Sequence, residues 1–135
     1  MLNAMIKMSE AAAIGLHAAD YLARRRELCS AQSIAEELKV SYNHLSKVLQ
    51  QLTRAGLVKP TRGPAGGFTL SPAGRTASIR DFLTAIDGPI KSHDCLMGAH
   101  VCRRQSCIFG GFIAETNARF EAALDRKISE FSKRK

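Results

Sequence analysis

Residues 30–70 read SAQSIAEELKVSYNHLSKVLQQLTRAGLVKPTRGPAGGFTL, and this stretch decides the fold. In its first part apolar residues recur at intervals of three and four, which predicts two helices. The second helix begins at Ser41, a good N-cap, and ends before Gly56, a typical C′ residue. A turn at residues 39–41 separates the helices, and two short helices at that spacing form a helix-turn-helix. The apolar residues expected to face inward are Ile34, Ala35, Leu38, Leu45, Val48, Leu49 and Leu52.

The end of the same stretch predicts a β-hairpin. Short apolar runs at residues 57–59 and 68–70 flank a turn at residues 62–67 that is rich in glycine and proline. A hairpin directly after the second helix of a helix-turn-helix is a wing. The predicted fold class is therefore mainly α, a winged helix-turn-helix DNA-binding domain.

Helical periodicity also extends before and after this stretch. It predicts a first helix from about Ser9 to about Arg25, and a fourth helix that Ser78 and Asp81 cap. Farther on, one apolar stripe predicts a long C-terminal helix of roughly 24 residues, or about 36 Å. So long a helix is hard to bury in a small domain, so we expect it to act as the dimerisation helix of a homodimer. The stripe consists of Phe112, Ile113, Thr116, Phe120, Leu124, Ile128 and Phe131.

The predicted organisation has three segments: the winged helix-turn-helix at residues 1–88, a cysteine-containing cluster loop at 89–108, and the dimerisation helix with its tail at 109–135. The 135-residue chain has a formal net charge of +8, and a basic domain suits a polyanion such as double-stranded DNA. No apolar run reaches the roughly 18 residues that a membrane span needs. The N-terminus lacks the apolar core and cleavage site of a signal peptide, which predicts a cytoplasmic location.

Polar residues at the start of the second helix of the pair are candidates for reading DNA. Recognition helices present their N-terminal residues to base edges, where amide and ammonium groups pair with adenine and guanine. Arg62 in the glycine-rich wing can enter a narrow minor groove. The same residues can also form an ordinary solvated face, and a helix-turn-helix can serve protein contacts alone. The predicted DNA-binding residues are Ser41, Tyr42, Asn43, His44, Lys47, Arg62, Gly63, Gly66 and Gly67.

Three of the four cysteines lie close together, at Cys95, Cys102 and Cys107, while Cys29 stands apart. In a reducing compartment such a group indicates a metal, an iron–sulfur cluster or redox chemistry. The spacing is not that of a zinc knuckle, but three thiolates on a loop can still surround a metal or a cluster. Reactive or disulfide-forming thiols and buried structural cysteines are the alternatives. The candidates for a fourth donor are His93, Asp94, His100 and Glu10.

These motifs resemble those of the winged-helix iron–sulfur regulators typified by IscR and NsrR. The resemblance covers nearly the whole chain, including residues 34–41, the apolar pattern of residues 45–58, and the cysteine loop before a long helix. Its most specific part is the wing sequence Arg-Gly-Pro-Ala-Gly-Gly-Phe at residues 62–68. The resemblance implies a homodimer that binds operator DNA and regulates transcription, with repression the expected sign.

The resemblance also implies a [2Fe-2S] or [4Fe-4S] cluster bound by Cys95, Cys102 and Cys107. Some members of the family use a histidine three residues after the last cysteine, a position that Gly110 occupies here. Others use a carboxylate from the first helix of the partner subunit, and Glu10 lies at the matching place. The implied metal-binding set is therefore the three cysteines with Glu10, and the implied signal is iron–sulfur status, nitric oxide or redox state.

Two other classes of protein could contain such cysteines. A zinc- or thiol-based redox-responsive regulator could use the same cysteines without iron. An enzyme, such as a thiol transferase, would need an acid–base constellation or a C-x-x-C beside a βαβ pattern, and the sequence shows neither. We therefore expect a regulator and not an enzyme.

Overall fold

The computed structural model of the chain describes residues 8–90 and 107–132. In these ranges the chain is mainly helical, with one small antiparallel sheet. None of the helices described is both long and apolar enough to cross a membrane. The elements in chain order are α1 (Glu10–Ala23), α2 (Ala31–Leu38), α3 (Tyr42–Arg54), β1 (Val58–Thr61), β2 (Gly67–Leu70), α4 (Pro72–Thr76), α5 (Ile79–Asp87), α6 (Phe112–Leu124) and α7 (Ser129–Ser132).

Helices α2 and α3 form the predicted helix-turn-helix. Ser30 Oγ accepts a hydrogen bond from the N–H of Ser33 at 3.1 Å, and Ser41 Oγ accepts one from the N–H of His44 at 3.0 Å. Each hydroxyl satisfies a backbone N–H that the first helical turn leaves without a partner. The two helices therefore have defined starts on either side of the turn.

Helix α1 packs against both α3 and α5 and lies at the centre of the core. Its approach to α5 depends on Gly15, because a Cβ atom there would lie 2.2 Å from Ile86 Cδ1. The apolar face of α3 packs into the same core, as the sequence predicted. The buried residues of α3 are Leu45, Val48, Leu49 and Leu52.

The wing is a two-stranded hairpin extended by one residue from another part of the chain. Strands β1 and β2 pair from Val58 with Leu70 to Thr61 with Gly67. Cys29, in the connection between α1 and α2, joins the edge of β2: its N–H donates to Phe68 O at 3.1 Å, and the N–H of Phe68 donates to Cys29 O at 2.8 Å. The wing is thereby tied to the connection that leads into α2. The prediction of a mainly α, winged helix-turn-helix fold is confirmed.

The C-terminal helix is shorter than the apolar stripe predicted. Helix α6 has 13 residues, and the chain turns after Asp125. The turn arises because backbone groups pair with the start of α5: Ile79 N–H donates to Arg126 O at 2.9 Å and Ile128 N–H donates to Ala77 O at 3.2 Å. Ile128 then enters the core, where tertiary contacts override the helical periodicity. The division of the chain at residues 88 and 108 stays a prediction.

Candidate nucleic-acid interface and cysteine segment

Helix α3 exposes one polar face. Tyr42, its first residue, is 55% exposed, and Asn43 and Lys47 are exposed as well. His44 is half-buried. These four predicted DNA-reading residues therefore occupy the first turn and a half of one helix, opposite its buried apolar face. This arrangement can present the amide, phenol and ammonium groups to a groove.

Ser41 has a structural role that limits how it can contact DNA. Its Oγ accepts the hydrogen bond from the N–H of His44 that caps α3. A hydroxyl also has one O–H to donate, so Ser41 can still donate to a phosphate oxygen. Its prediction as a DNA-binding residue is therefore compatible with the cap.

The glycines of the wing allow a positive φ and close backbone contacts that other residues do not allow. Gly63 has a φ of +112°, which side-chain-bearing residues rarely adopt. A Cβ atom on Gly66 would lie 2.1 Å from Thr61 O, and one on Gly67 would lie 2.6 Å from Cys29 O. Gly66 is thus required by close backbone approach inside the wing, and Gly67 by the close approach of the connection between α1 and α2. The sequence alone did not reveal these roles.

The charge distribution around this surface is one-sided. No Asp or Glu occurs between Glu37 and Asp81, a stretch that includes α3 and the whole wing. Arg62 is exposed at the wing turn. A basic stretch of this kind attracts phosphate groups, although Arg80 at its end pairs with Glu121 and Asp125. The basic residues of the stretch are Lys39, Lys47, Arg54, Lys59, Arg62, Arg75 and Arg80.

Cys107 is the one predicted cluster ligand among the three clustered cysteines that the structure describes. It is half-exposed and free, and its Sγ accepts a hydrogen bond from the N–H of Phe109 at 3.4 Å. The thiolate is the form of cysteine that binds iron or zinc. Cys95 and Cys102 lie outside the described residues, as do His93, Asp94 and His100. Within the described ranges, no group of three or more His, Cys, Asp or Glu side chains is placed to hold a metal ion.

Hydrogen bonds between the end of α5 and the N-cap of α1 hold the start of the cysteine segment beside α1. At the end of α5, Asp87 accepts hydrogen bonds from the backbone N–H of Ser9 at 3.0 Å and from its hydroxyl at 2.5 Å. Glu10 follows Ser9 directly and is exposed. Residues 88–90 thus leave α5 beside the start of α1, where Glu10 lies.

The end of α6 packs on α5 and α1. Arg80, at the start of α5, forms ion pairs with Glu121 at 2.5 Å and Asp125 at 3.0 Å, at the end of α6. Leu124 of α6 is 1% exposed and packs with Leu83 and Ala12. Cys107 lies five residues before Phe112, the first residue of α6.

Cys29 is held in a different environment. It is buried, and its Sγ contacts Glu27 O at 3.5 Å. Burial raises the pKa of the Cys29 thiol, and Arg25 opposes this shift in part. The protonated thiol is a poor metal ligand, which fits the prediction that Cys29 takes no part in a cluster.

Solved structures resemble this chain over nearly its whole length. The global cysteine regulator CymR of B. subtilis is 25% identical, with a TM-score of 0.73, over 95% of this chain and 97% of that one. The IscR of T. potens is 23% identical, with a TM-score of 0.68, over 93% of this chain and 85% of that one. The fold is therefore shared with both proteins.

Sequence comparison identifies the family. A family model described as Rrf2, iron-dependent transcriptional regulator, matches residues 8–128. The HTH-type transcriptional repressor NsrR of Streptomyces coelicolor is 31% identical over 100 residues, which are 73% of this chain and 67% of that protein. These relatives are transcriptional regulators, which confirms the prediction that the chain is a regulator and not an enzyme. The chain belongs to the Rrf2 family of transcriptional regulators.

Proposed function

We propose that this regulator is a cytoplasmic repressor that binds operator DNA and senses iron–sulfur status, nitric oxide or redox state through an iron–sulfur cluster. The ligands in this proposal are Cys95, Cys102 and Cys107, with Glu10 of the partner subunit as the fourth donor. The observation that carries it is Cys107, a free and half-exposed thiol just before α6, in a chain that matches the family model of iron-dependent transcriptional regulators over residues 8–128.

The donor set fits such a group. Cys107 is free, half-exposed and receives an N–H hydrogen bond at its sulfur, as cluster thiolates do. When bound, the cluster would supply iron that reacts with oxidants or nitric oxide. Glu10 and Ser9 belong to the start of α1, and α1 packs directly on α3. A change at Glu10 would therefore be transmitted through α1 to the helix that reads DNA.

The alternative is a thiol- or zinc-based regulator. The structural likeness to CymR, a protein named for cysteine regulation, is the observation that favours it. Purification without oxygen, followed by visible absorption, iron and sulfide analysis, separates the two functions. A brown protein with iron and sulfide supports the cluster, whereas a colourless protein that binds zinc or no metal under any reconstitution overturns it.

A homodimer is part of the proposal because an apolar surface is exposed where α6 begins. Ile108 is 73% exposed, Phe112 is 55% exposed, and Phe109 lies between them. Exposed apolar residues this close together are typical of an interaction site. A second copy of the chain would cover them.

Arg62→Ala is expected to weaken DNA binding by about tenfold at low salt and to reduce the salt dependence by about one phosphate contact. The reason is the exposed guanidinium at the tip of a wing that has no acidic neighbour in sequence. Affinity for labelled duplex DNA can be measured by fluorescence anisotropy at two salt concentrations. Lys127→Ala, which removes the same charge in the turn after α6, is the matched control. Equal DNA affinities of Arg62→Ala and the control would mean that Arg62 does not contact DNA.

A further inference from the structure

The turn between α2 and α3 contains Lys39, which adopts a φ of 58° and a ψ of 43°. This left-handed conformation brings Cβ close to the following carbonyl group and therefore favours glycine. At the other positive-φ positions in the described ranges, the residue is glycine: Gly56, Gly63, Gly88 and Gly110. Lys39 thus has a conformational cost that the described chain avoids elsewhere.

Backbone hydrogen bonds in the turn between α2 and α3 impose this conformation on Lys39. The N–H of Val40 donates to Ala35 O at 3.0 Å, and the N–H of Lys39 donates to Glu36 O at 3.3 Å. These bonds form a Schellman motif, in which the residue after the helix is left-handed. Val40 packs against the core, and Ser41 caps α3. Glycine at position 39 would form the same turn at a lower conformational cost. The backbone conformation therefore does not explain why residue 39 is a lysine.

The surroundings of Lys39 suggest what the side chain does. It is exposed, and none of the ion pairs within 4 Å among the described residues involves it. It precedes Tyr42, the first residue of the reading helix, by three positions, and it is the first basic residue of the stretch without acids between Glu37 and Asp81. A lysine ammonium is a flexible point charge, which suits a phosphate oxygen better than a base edge.

We propose that Lys39 binds a phosphate of the DNA backbone at the edge of the groove that α3 enters, and so sets how α3 lies on the duplex. The inference rests on the DNA binding proposed above. A lysine occupies this costly conformation because the turn between α2 and α3 places its positive charge beside the first turn of α3. The competing explanation is that the cation stabilises the C-terminal end of α2.

The test uses the full chain and a short labelled duplex of mixed sequence, because a phosphate contact does not depend on the operator. Lys39→Gly is expected to bind this duplex roughly three- to tenfold more weakly and to lower the salt slope by about one per lysine removed. Its urea midpoint is expected to equal or exceed that of the wild type, since glycine adopts the left-handed conformation freely. Lys39→Arg is expected to retain the affinity, and Lys127→Ala is the charge-matched control.

Each other outcome contradicts the proposal. Unchanged affinity of Lys39→Gly together with a lower urea midpoint would assign Lys39 to the end of α2. An equal loss of affinity in Lys127→Ala would mean that the loss in Lys39→Gly reflects the lower net charge and not a contact at Lys39. Failure of the wild type to bind any duplex would overturn the DNA-binding function itself, which distinguishes that failure from a failure at Lys39 alone.

Discussion

Replacing Cys107 with alanine is expected to remove most of the iron from the protein, and replacing Cys95 or Cys102 is expected to do the same. Each thiolate provides a bond to iron that alanine cannot make, so the loss of one leaves the cluster labile or absent. The measurement is iron per monomer and visible absorption for each variant, prepared without oxygen. Glu10→Ala is expected to keep iron but with altered stability or spectrum, because a carboxylate is the weaker donor.

Cys29→Ala is the matched control. Cys29 is buried beside β2, and its burial raises the pKa of its thiol. This variant is therefore expected to keep the iron content of the wild type. Circular dichroism and thermal melting of every variant separate loss of cluster from loss of fold. The cluster assignment fails if Cys29→Ala loses iron while a variant of the clustered cysteines keeps the wild-type spectrum.

Leu124→Asp is expected to destabilise the monomer fold by roughly 4 kcal/mol or more. A buried Leu to Ala change alone costs about 2–5 kcal/mol, and an unpaired buried charge adds to that loss. Leu124 is 1% exposed and packs against Ala12 and Leu83, which attach α6 to the core. A domain of this size has only about 5–15 kcal/mol to lose, so urea denaturation should show a much lower midpoint or no cooperative transition.

Ala123→Asp places the same charge at the preceding position, which is exposed on the same helix. This control is expected to unfold at nearly the wild-type midpoint. If Leu124→Asp instead keeps full stability and merely shifts sedimentation from dimer to monomer, Leu124 belongs to the interface between subunits. The intrachain packing of α6 described above would then be incorrect.

The central part of the fold could be predicted because local signals and the core agree there. Ser41 both ends the turn and caps α3, and the apolar residues from Leu45 to Leu52 recur at helical spacing and are all buried. The wing followed from its glycine–proline turn between two apolar runs. Helix α4 was not predicted, because the five residues from Pro72 to Thr76 are too few to show a period.

The C-terminal helix and the contacts around the cysteine segment could not be predicted, since both depend on distant residues. The stripe from Phe112 to Ile128 is consistent with one helix, and only pairing with residues 77–79 ends it. The hydrogen bonds between Ser9 and Asp87 join residues 78 positions apart, for which periodicity has no signal. Close approach at Gly66 and Gly67 likewise depends on backbone atoms that the motif itself does not specify.

The stretch without acids between Glu37 and Asp81 also affects how fast the protein finds DNA. A stretch that carries seven basic residues and no acid attracts the phosphates of a duplex before contact, which raises the association rate. Phosphate contacts carry no sequence information, so they also allow the protein to slide along non-specific sequence. Rising ionic strength screens this attraction and would therefore slow the search as well as weaken binding.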